Sequence, residues 1–292
     1  MSLRVLMIAL AITLAACASP DLPSPTPSRV VATLAIATPS ATPTLTATPI
    51  PTITPTPTAF ATAPAPGESA IVPILMYHNL RDLPGNATEL QRTWTVAPSA
   101  FEAQVKWLAD HGFHTITMAQ LVAHLKRKEP VPAKPLIISF DDGWEEQYTV
   151  AFPILKKYNF ISTFFIYTNP LDRKSYLTWA QLQEMSTAGM DIQAHTLTHP
   201  HLRALASQEA QKEISESKKI LESKLNKPVV ALSYPFGEYN TSVIEMLKRA
   251  GLESAVTLAA GYRQRTDELY TLHRIRVSYP DTLVEFAKHL PP

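Results

Sequence analysis

The chain has 292 residues and a nearly balanced charge, with 26 lysine and arginine residues against 25 aspartate and glutamate residues. This balance excludes the basic surface of a nucleic-acid-binding protein, and a single cysteine excludes an internal disulfide and cysteine-rich zinc modules. Prolines are concentrated near the N-terminus, whereas hydrophobic residues make up 46% of the chain. Composition therefore predicts a proline-rich segment followed by a globular domain with a substantial core.

Residues 1–16 are predicted to be a signal peptide. Arg4 precedes an apolar run over residues 5–16, which is about half the length that a membrane-spanning helix needs. Leu-Ala-Ala before Cys17 resembles a bacterial lipobox and implies cleavage there and lipid attachment to the Cys17 sulfur. An ordinary signal peptide or a short membrane anchor is the alternative. We expect an exported protein, lipid-anchored to the outer face of a bacterial membrane.

Residues 17–66 are predicted to be the lipidated cysteine followed by a disordered, Pro/Thr-rich stalk. From residue 18 to residue 66 the chain holds twelve prolines and twelve threonines, and only Asp21 and Arg29 are charged. Repeated proline removes backbone donors and favours extended polyproline II rather than packed structure. The stalk is therefore expected to act as a spacer without chemistry of its own.

Residues 67–292 are predicted to form one α/β domain, because apolar runs typical of buried strands alternate with amphipathic helices. The predicted strands are 71–77, 115–117, 136–140, 162–166, 191–194, 229–233, 254–257 and 274–277. The predicted helices are one around residues 98–108, then 119–128, 148–158, 178–188, 207–225, 241–250 and one from about 282. About seven strand–helix units in this length favour a barrel, with its active site at the carboxyl ends of the strands.

A pair of carboxylates follows the most apolar predicted strand. Asp141 and Asp142 come directly after Ser139-Phe140 and precede Gly143. Adjacent carboxylates repel, so two of them at a barrel mouth need a compensating cation or a proton. A metal held by one carboxylate, with the other free as a base, is one interpretation. A solvated Asp-Asp-Gly turn is the other.

A pair of histidines follows the strand 191–194. His195 and His199 are four residues apart, so a helical or tight-turn geometry can present both imidazoles to one ion. Zinc proteases of the His-Glu-x-x-His type carry glutamate where this chain has Thr196, so that class loses its general base. His201 fits a surface role better than ligation. Two histidines and one carboxylate complete a three-ligand metal site with a position left for water.

Two further motifs leave predicted strands. His78 ends the first strand and is either a general acid, because imidazole titrates near neutral pH, or a structural residue. The loop Tyr234-Pro235-Phe236-Gly237 either aims a backbone N–H at an oxyanion or is an ordinary strand-ending loop. Three tryptophans are candidate stacking surfaces for sugar rings or parts of the core: Trp94, Trp144 and Trp179.

These motifs occur in an order that resembles a known family. The motifs are Pro73-Ile74-Leu75-Met76-Tyr77-His78, Ser139-Phe140-Asp141-Asp142-Gly143, His195-Thr196-Leu197-Thr198-His199 and Tyr234-Pro235-Phe236-Gly237. They resemble the polysaccharide deacetylases, which share the NodB homology domain of carbohydrate esterase family 4. The first motif points towards the branch that includes poly-N-acetylglucosamine deacetylases. The resemblance covers about residues 70–280.

The resemblance implies a distorted (β/α) barrel and a divalent metal, usually zinc, held by Asp142, His195 and His199. Asp141 is then the general base for the water that attacks the acetamide carbonyl of an N-acetylated glycan. The metal and the backbone N–H of Phe236 are expected to stabilise the oxyanion. The substrate is expected to be poly-N-acetylglucosamine, peptidoglycan or a chitin-like polymer.

The resemblance also implies a histidine that protonates the leaving amine. In the branch with the early Tyr-His motif this acid lies at the position of His78, whereas His273 lies nearer the position that other members use. We expect His78 to be the acid and keep His273 as the alternative.

The chain departs from the family pattern in two places. Many members pair the base with an arginine where this chain has Ser233, and the Asp- and Trp-containing motif that orients the catalytic histidine is not evident. Two alternatives therefore stay open: a catalytically inactive, lipid-anchored carbohydrate-binding protein, and a deacylase of another acyl substrate. Retention of Asp141 together with Asp142, His195 and His199 favours the N-deacetylase.

Overall fold

The computed structural model describes residues 60–291. The predicted signal peptide, Cys17 and the stalk up to residue 59 lie outside the described residues. Within the described range, no helix is both long enough and apolar enough to cross a bilayer. The domain boundary at residue 67 stays a prediction, although strand pairing begins earlier, because Phe60–Ala61 pairs antiparallel with Val131–Pro132.

Seven parallel strands close into a barrel, which confirms the predicted fold class. They are β1 (Ile74–Tyr77), β2 (Pro135–Asp141), β3 (Thr163–Ile166), β4 (Asp191–Ala194), β5 (Ala231–Ser233), β6 (Ser254–Ala260) and β7 (Leu272–Arg276). Each strand pairs with the next along the chain, and β7 pairs with β1 to close the ring. The register shifts between Val256 and Ala260, where β6 meets β7, so the barrel is irregular there.

Eight α-helices lie within residues 60–291. They are α1 (Glu89–Thr93), α2 (Pro98–Asp110), α3 (Met118–Arg127), α4 (Phe152–Lys157), α5 (Trp179–Thr187), α6 (Ser207–Leu225), α7 (Thr241–Arg249) and α8 (Leu283–Lys288). One π-helical turn spans Gln147–Ala151 before α4, and 3-10 turns span Leu202–Ala204 and Pro235–Gly237. The sequence predicted every helix except α1.

Short strands complete the described fold. Ser69–Ile71 pairs antiparallel with Arg263–Arg265, Asn79–Leu80 pairs parallel with Thr95–Val96, and His114–Thr115 pairs parallel with the start of β2. These pairs link the segments before and after β1 to later parts of the chain. The pairing of Asn79–Leu80 with Thr95–Val96 fixes the segment that carries α1 beside the carboxyl end of β1.

Alternation along the strands explains where the polar groups lie. Successive side chains of a strand point to opposite faces, so every second residue of a barrel strand faces inward. Near the amino ends these positions are apolar on β1, β2 and β7, where Ile74, Ile137 and Leu272 belong to one buried cluster. On β3 and β4 they are polar, because Asp191 accepts hydrogen bonds there from the Thr163 hydroxyl and the Gln193 amide. Two residues further along, the inward rows of β2, β7 and β5 carry Ser139, Arg274 and Ser233, and then Asp141. The inward rows of β1, β2, β5 and β7 therefore change from apolar to polar towards the carboxyl end, whereas those of β3 and β4 begin with polar residues.

Candidate active site

The predicted site residues meet at the carboxyl end of the barrel. Asp141 is the last residue of β2, His195 directly follows β4 and His78 directly follows β1. They line one cavity of about 490 Å³ together with Asp142 and His199. This is the end of the strands at which the sequence predicted the site.

Asp142, His195 and His199 form a candidate metal site. Oδ1 of Asp142 lies 3.5 Å from Nε2 of His195 and 3.6 Å from Nε2 of His199. One ligand atom from each residue lies within 4.8 Å of the others. Two imidazoles and one carboxylate are a donor set that suits zinc and leaves a coordination position open. The residues present therefore fit the divalent metal that the resemblance implies.

Hydrogen bonds to neighbouring groups orient these candidate ligands. Nδ1 of His195 lies 2.7 Å from the carbonyl oxygen of Ser233. Because a carbonyl only accepts, Nδ1 must carry a proton, so Nε2 is the ring nitrogen that faces Asp142. Trp144 donates from Nε1 to Oδ2 of Asp142 over 3.1 Å, so that Oδ1 is the oxygen near both histidines.

The electrostatics of the two histidines differ. Burial lowers the pKa of His199 to about 4, so its imidazole is neutral at neutral pH and able to bind a cation. Burial opposes charge on His195 most strongly of any single cause, but the hydrogen bond to Asp142 and the negative charges of Asp141 and Asp142 together raise the pKa of His195. A proton therefore competes with a cation for Nε2 of His195.

The segment between the two histidines is a tight loop rather than a helix. Thr196 and His199 both adopt positive φ, at 70° and 61°. The His199 N–H donates to the Thr196 hydroxyl over 3.0 Å. Glu213 of α6 accepts the backbone N–H groups of Leu197 and Thr198, each at 2.9 Å, and the Thr198 hydroxyl at 2.7 Å. Of the two geometries that the sequence left open, the structure has the turn.

Asp141 has an arginine partner that the sequence analysis missed. The Arg274 guanidinium donates two parallel hydrogen bonds of 2.8 Å to the Asp141 carboxylate, and the Ser233 hydroxyl donates a third over 3.0 Å. Burial works to raise the pKa of Asp141, but the charge and hydrogen bonds of Arg274, together with the charges of His195 and His78, hold that pKa well below its ordinary value. The expectation that Ser233 leaves the carboxylate without an arginine was wrong, because β7 supplies one.

The two candidate acids lie in different places. Nε2 of His78 is 3.9 Å from Oδ2 of Asp141, and its ring packs 4.4 Å from the Trp94 ring. Burial lowers the pKa of His78. His273 instead lines a separate cavity with Gly261 and residues around Arg263. Of the two candidate acids, only His78 therefore lies near Asp141.

The loop after β5 reaches the same cavity. Phe236 has a positive φ of 58°, and its ring lies 4.6 Å from that of His199 and 3.9 Å from that of His201. A Cβ atom on Gly237 would lie 2.6 Å from Cγ of Leu258, so only glycine fits there. The loop thus packs closely on β6 and holds the Phe236 backbone at the edge of the cavity.

The three tryptophans lie in different places, two at the cavity and one on a helix. Trp94 and Trp144 line the cavity, and Trp144 stacks on Tyr176 with ring centroids 4.5 Å apart. Trp179 begins α5, and the Lys224 ammonium lies 5.7 Å from its ring. Two of the three candidates are thus placed where a sugar ring could contact them.

Comparison with known proteins gives the family. The family model for polysaccharide deacetylase matches residues 128–255. YxkH of Bacillus subtilis strain 168, a polysaccharide deacetylase by name, is 34% identical over 209 residues, which is 72% of each chain. The poly-beta-1,6-N-acetyl-D-glucosamine N-deacetylase of Staphylococcus aureus strain MRSA252 is 28% identical over 201 residues, covering 64% of this chain and 69% of that protein.

A solved structure agrees with these sequence relatives. The Streptococcus pyogenes deacetylase PplD, in complex with acetate, superposes with a TM-score of 0.71 and 28% identity. The superposition covers 77% of this chain and all of PplD. This chain belongs to the polysaccharide deacetylase family.

Proposed function

We propose that this protein is a metal-dependent hydrolase that removes N-acetyl groups from an N-acetylglucosamine-containing polysaccharide. One observation carries the proposal: a three-residue metal ligand set lies in the same cavity as a carboxylate paired with a buried arginine. The similarity to the Staphylococcus aureus enzyme, which is named for deacetylating poly-beta-1,6-N-acetyl-D-glucosamine, supports the substrate class. We take zinc as the metal, because two imidazoles and a carboxylate suit it.

Asp142, His195 and His199 would hold the metal. When bound, a zinc ion supplies Lewis acidity that polarises an acyl carbonyl and makes a water more acidic. Asp141 accepts the proton of the attacking water at Oδ2, the oxygen that faces His78. Arg274 keeps the Asp141 carboxylate ionised and fixes both oxygens, so its orientation does not change on proton uptake.

The remaining steps fall to His78 and Phe236. His78 donates a proton to the leaving amine, and its 3.9 Å separation from Asp141 places acid and base on the same side of the cavity. The Phe236 N–H donates to the oxyanion that forms at the carbonyl oxygen. The products are acetate and a glucosamine unit that remains in the polymer.

The test measures acetate release from N-acetylglucosamine oligomers by the purified protein, first stripped of metal and then reloaded with zinc. We expect release only after reloading, and loss of release in Asp141→Asn and in His195→Ala. Asp191→Asn is the matched control, because Asp191 is a half-buried, hydrogen-bonded aspartate at the opposite end of the barrel. Tight glycan binding without release under any metal would support the inactive binding protein instead. Release from O-acetyl esters alone would support the deacylase of another substrate.

For its location we propose a lipid anchor at Cys17 on the outer face of a bacterial membrane. The support is the sequence pattern before Cys17. A Cys17→Ser variant expressed in a bacterium should move from the membrane fraction to the soluble exported fraction. An unchanged distribution would leave the ordinary signal peptide or the short membrane anchor as the explanation.

A further inference from the structure

One buried glutamine ties together the residues proposed as acid and base. Gln147 is fully buried at the start of the π-helical turn. Its Nε2 lies 2.5 Å from the carbonyl oxygen of Asp141 and 3.2 Å from the carbonyl oxygen of His78. A side-chain amide carries two N–H groups, so it can donate one hydrogen bond to each carbonyl.

These two hydrogen bonds lie just beyond the last paired residues of β1 and β2. The register between β1 and β2 runs from Ile74 opposite Ile137 to Tyr77 opposite Phe140. His78 and Asp141 are the next residue on each strand, and they are no longer paired directly. The Gln147 amide bridges their backbones instead. It therefore fixes the distance between the backbones that carry His78 and Asp141.

The environment of Gln147 indicates a use beyond packing. Its Oε1 is buried and has no hydrogen-bond partner among the described residues. A buried acceptor without a partner is unfavourable, and a well-packed apolar side chain would avoid that cost. The π-helical turn adds a residue to the helix at this point, a distortion that occurs frequently at functional sites. Both features indicate that the role of Gln147 lies in the two N–H groups that its amide donates.

We propose that Gln147 is a positioning residue of the deacetylation site, holding His78 at its working separation from Asp141. The inference rests on the proposed function, since it matters only if these two residues transfer protons. Gln147 contacts neither Asp142 nor the two histidines of the candidate metal site through these bonds. Its removal should therefore change turnover rather than metal binding.

The test compares three variants of the metal-reloaded protein. Gln147→Met keeps the size of the side chain and removes both donors. Gln147→Glu keeps the shape, and when protonated in this buried place it retains one donor. Gln264→Met is the matched control, because Gln264 is also buried and its Nε2 bridges the carbonyl oxygens of Val72 and His273, each at 3.0 Å. Gln264 acts beyond the amino end of β1, away from the cavity.

We expect kcat of Gln147→Met to fall about 10- to 100-fold, since a misplacement of about 1 Å can have that effect on turnover. Gln147→Glu should lie between Gln147→Met and wild type, while KM and zinc affinity stay near their wild-type values. Gln264→Met should lower the melting temperature at least as much, yet keep kcat within about twofold to threefold.

The outcomes separate this inference from the proposed function. Absence of acetate release from the wild-type protein would remove the proposed function itself. An active wild type, with Gln147→Met as fast as Gln264→Met, would overturn the positioning role. If Gln147→Met does not fold, Gln147→Glu decides: reduced kcat with normal zinc affinity supports the role, and wild-type kcat refutes it.

Discussion

The two ends of the barrel differ in backbone conformation and in packing. At the carboxyl end, Asp142, Thr196, His199 and Phe236 all adopt positive φ, a conformation that is unfavourable for residues with a side chain. At the amino end, a buried apolar cluster with Ile74, Ile137 and Leu272 packs against α3 through Met118 and neighbouring residues. The residues with unfavourable backbone conformations near the candidate site thus lie at the end of the barrel opposite this cluster.

Two aspartates illustrate this difference. Asp141 at the carboxyl end is paired with Arg274, so it stays charged inside the protein. Asp191 at the amino end accepts hydrogen bonds only from neutral groups, namely the Met118 N–H, the Thr163 hydroxyl and the Gln193 amide. Withdrawal from solvent raises the pKa of Asp191. A buried charge is thus balanced by an arginine at one end of the barrel, whereas the carboxyl at the other end is held by neutral donors.

The largest expected effect distinguishes the two candidate general acids, His78 and His273. His78→Gln should lower kcat by about 10²- to 10⁴-fold, the usual contribution of a general acid. His273→Gln should change kcat by less than about threefold, because His273 lines a different cavity. Both are measured by acetate release at saturating substrate. A large loss in His273→Gln with full activity in His78→Gln would reverse the assignment.

The next effect concerns Arg274, whose side chain is fully buried. Arg274→Met leaves the Asp141 carboxylate buried without its cation, which should cost about 3–5 kcal/mol in the free energy of unfolding. Acetate release should fall at least tenfold, since the carboxylate loses two of its three donors. Urea denaturation and activity are measured on the same samples. Ser233→Ala removes only one neutral donor and should cost about 1 kcal/mol.

A smaller effect is expected at Glu213. Glu213→Ala removes the acceptor for the Leu197 and Thr198 N–H groups and for the Thr198 hydroxyl, so the loop before His199 loses its support. Zinc affinity, measured by competition with a chelator, should fall about 10- to 100-fold. The Glu213→Gln variant should keep most of the affinity, since its amide oxygen still accepts both N–H groups. Glu216→Ala on the same helix is the matched control, and an equal loss there would contradict the role of Glu213.

The smallest effect tests the amino end. Asp191→Asn should leave activity within about twofold of wild type. Because the pKa of Asp191 is raised in the folded state, its protonated form contributes stability that is lost as the pH rises through that pKa. The stability advantage of wild type over Asp191→Asn should therefore shrink as the pH rises above about 4, the ordinary pKa of an aspartate carboxyl. Urea denaturation across this range would show a constant difference if the carboxyl does not titrate.

Much of the site could be predicted because each motif is contiguous and follows a strand. The strand β4 and the helix α6 have the predicted bounds, and β2 runs one residue further than predicted, so that Asp141 is its last residue. Composition and periodicity are sufficient there, since each segment is long enough to show its pattern. The helix α1 was missed because one turn of five residues, with Leu90 exposed, carries little periodicity.

The residues that the sequence analysis missed, Arg274 and Gln147, each contact a residue far away in the sequence. Side chains alternate along β7, so Leu272 and Arg274 point into the barrel while His273 points outward. The alternation with the apolar Leu272 was the signal that Arg274 faces the site. That signal could have been read from the sequence. The contacts of Gln147 with two backbone carbonyls could not, because they depend on where β1 and β2 diverge.

The pairing of Asp141 with Arg274 also bears on the order in which the molecule assembles. The two residues are 133 positions apart, and Arg274 lies on the last strand of the ring. During synthesis, the second strand emerges long before the seventh, so its terminal carboxyl has no cation to pair with until then. The closing strand therefore completes both the ring and the ion pair in one event, and an unfinished barrel leaves the Asp141 carboxylate without its arginine.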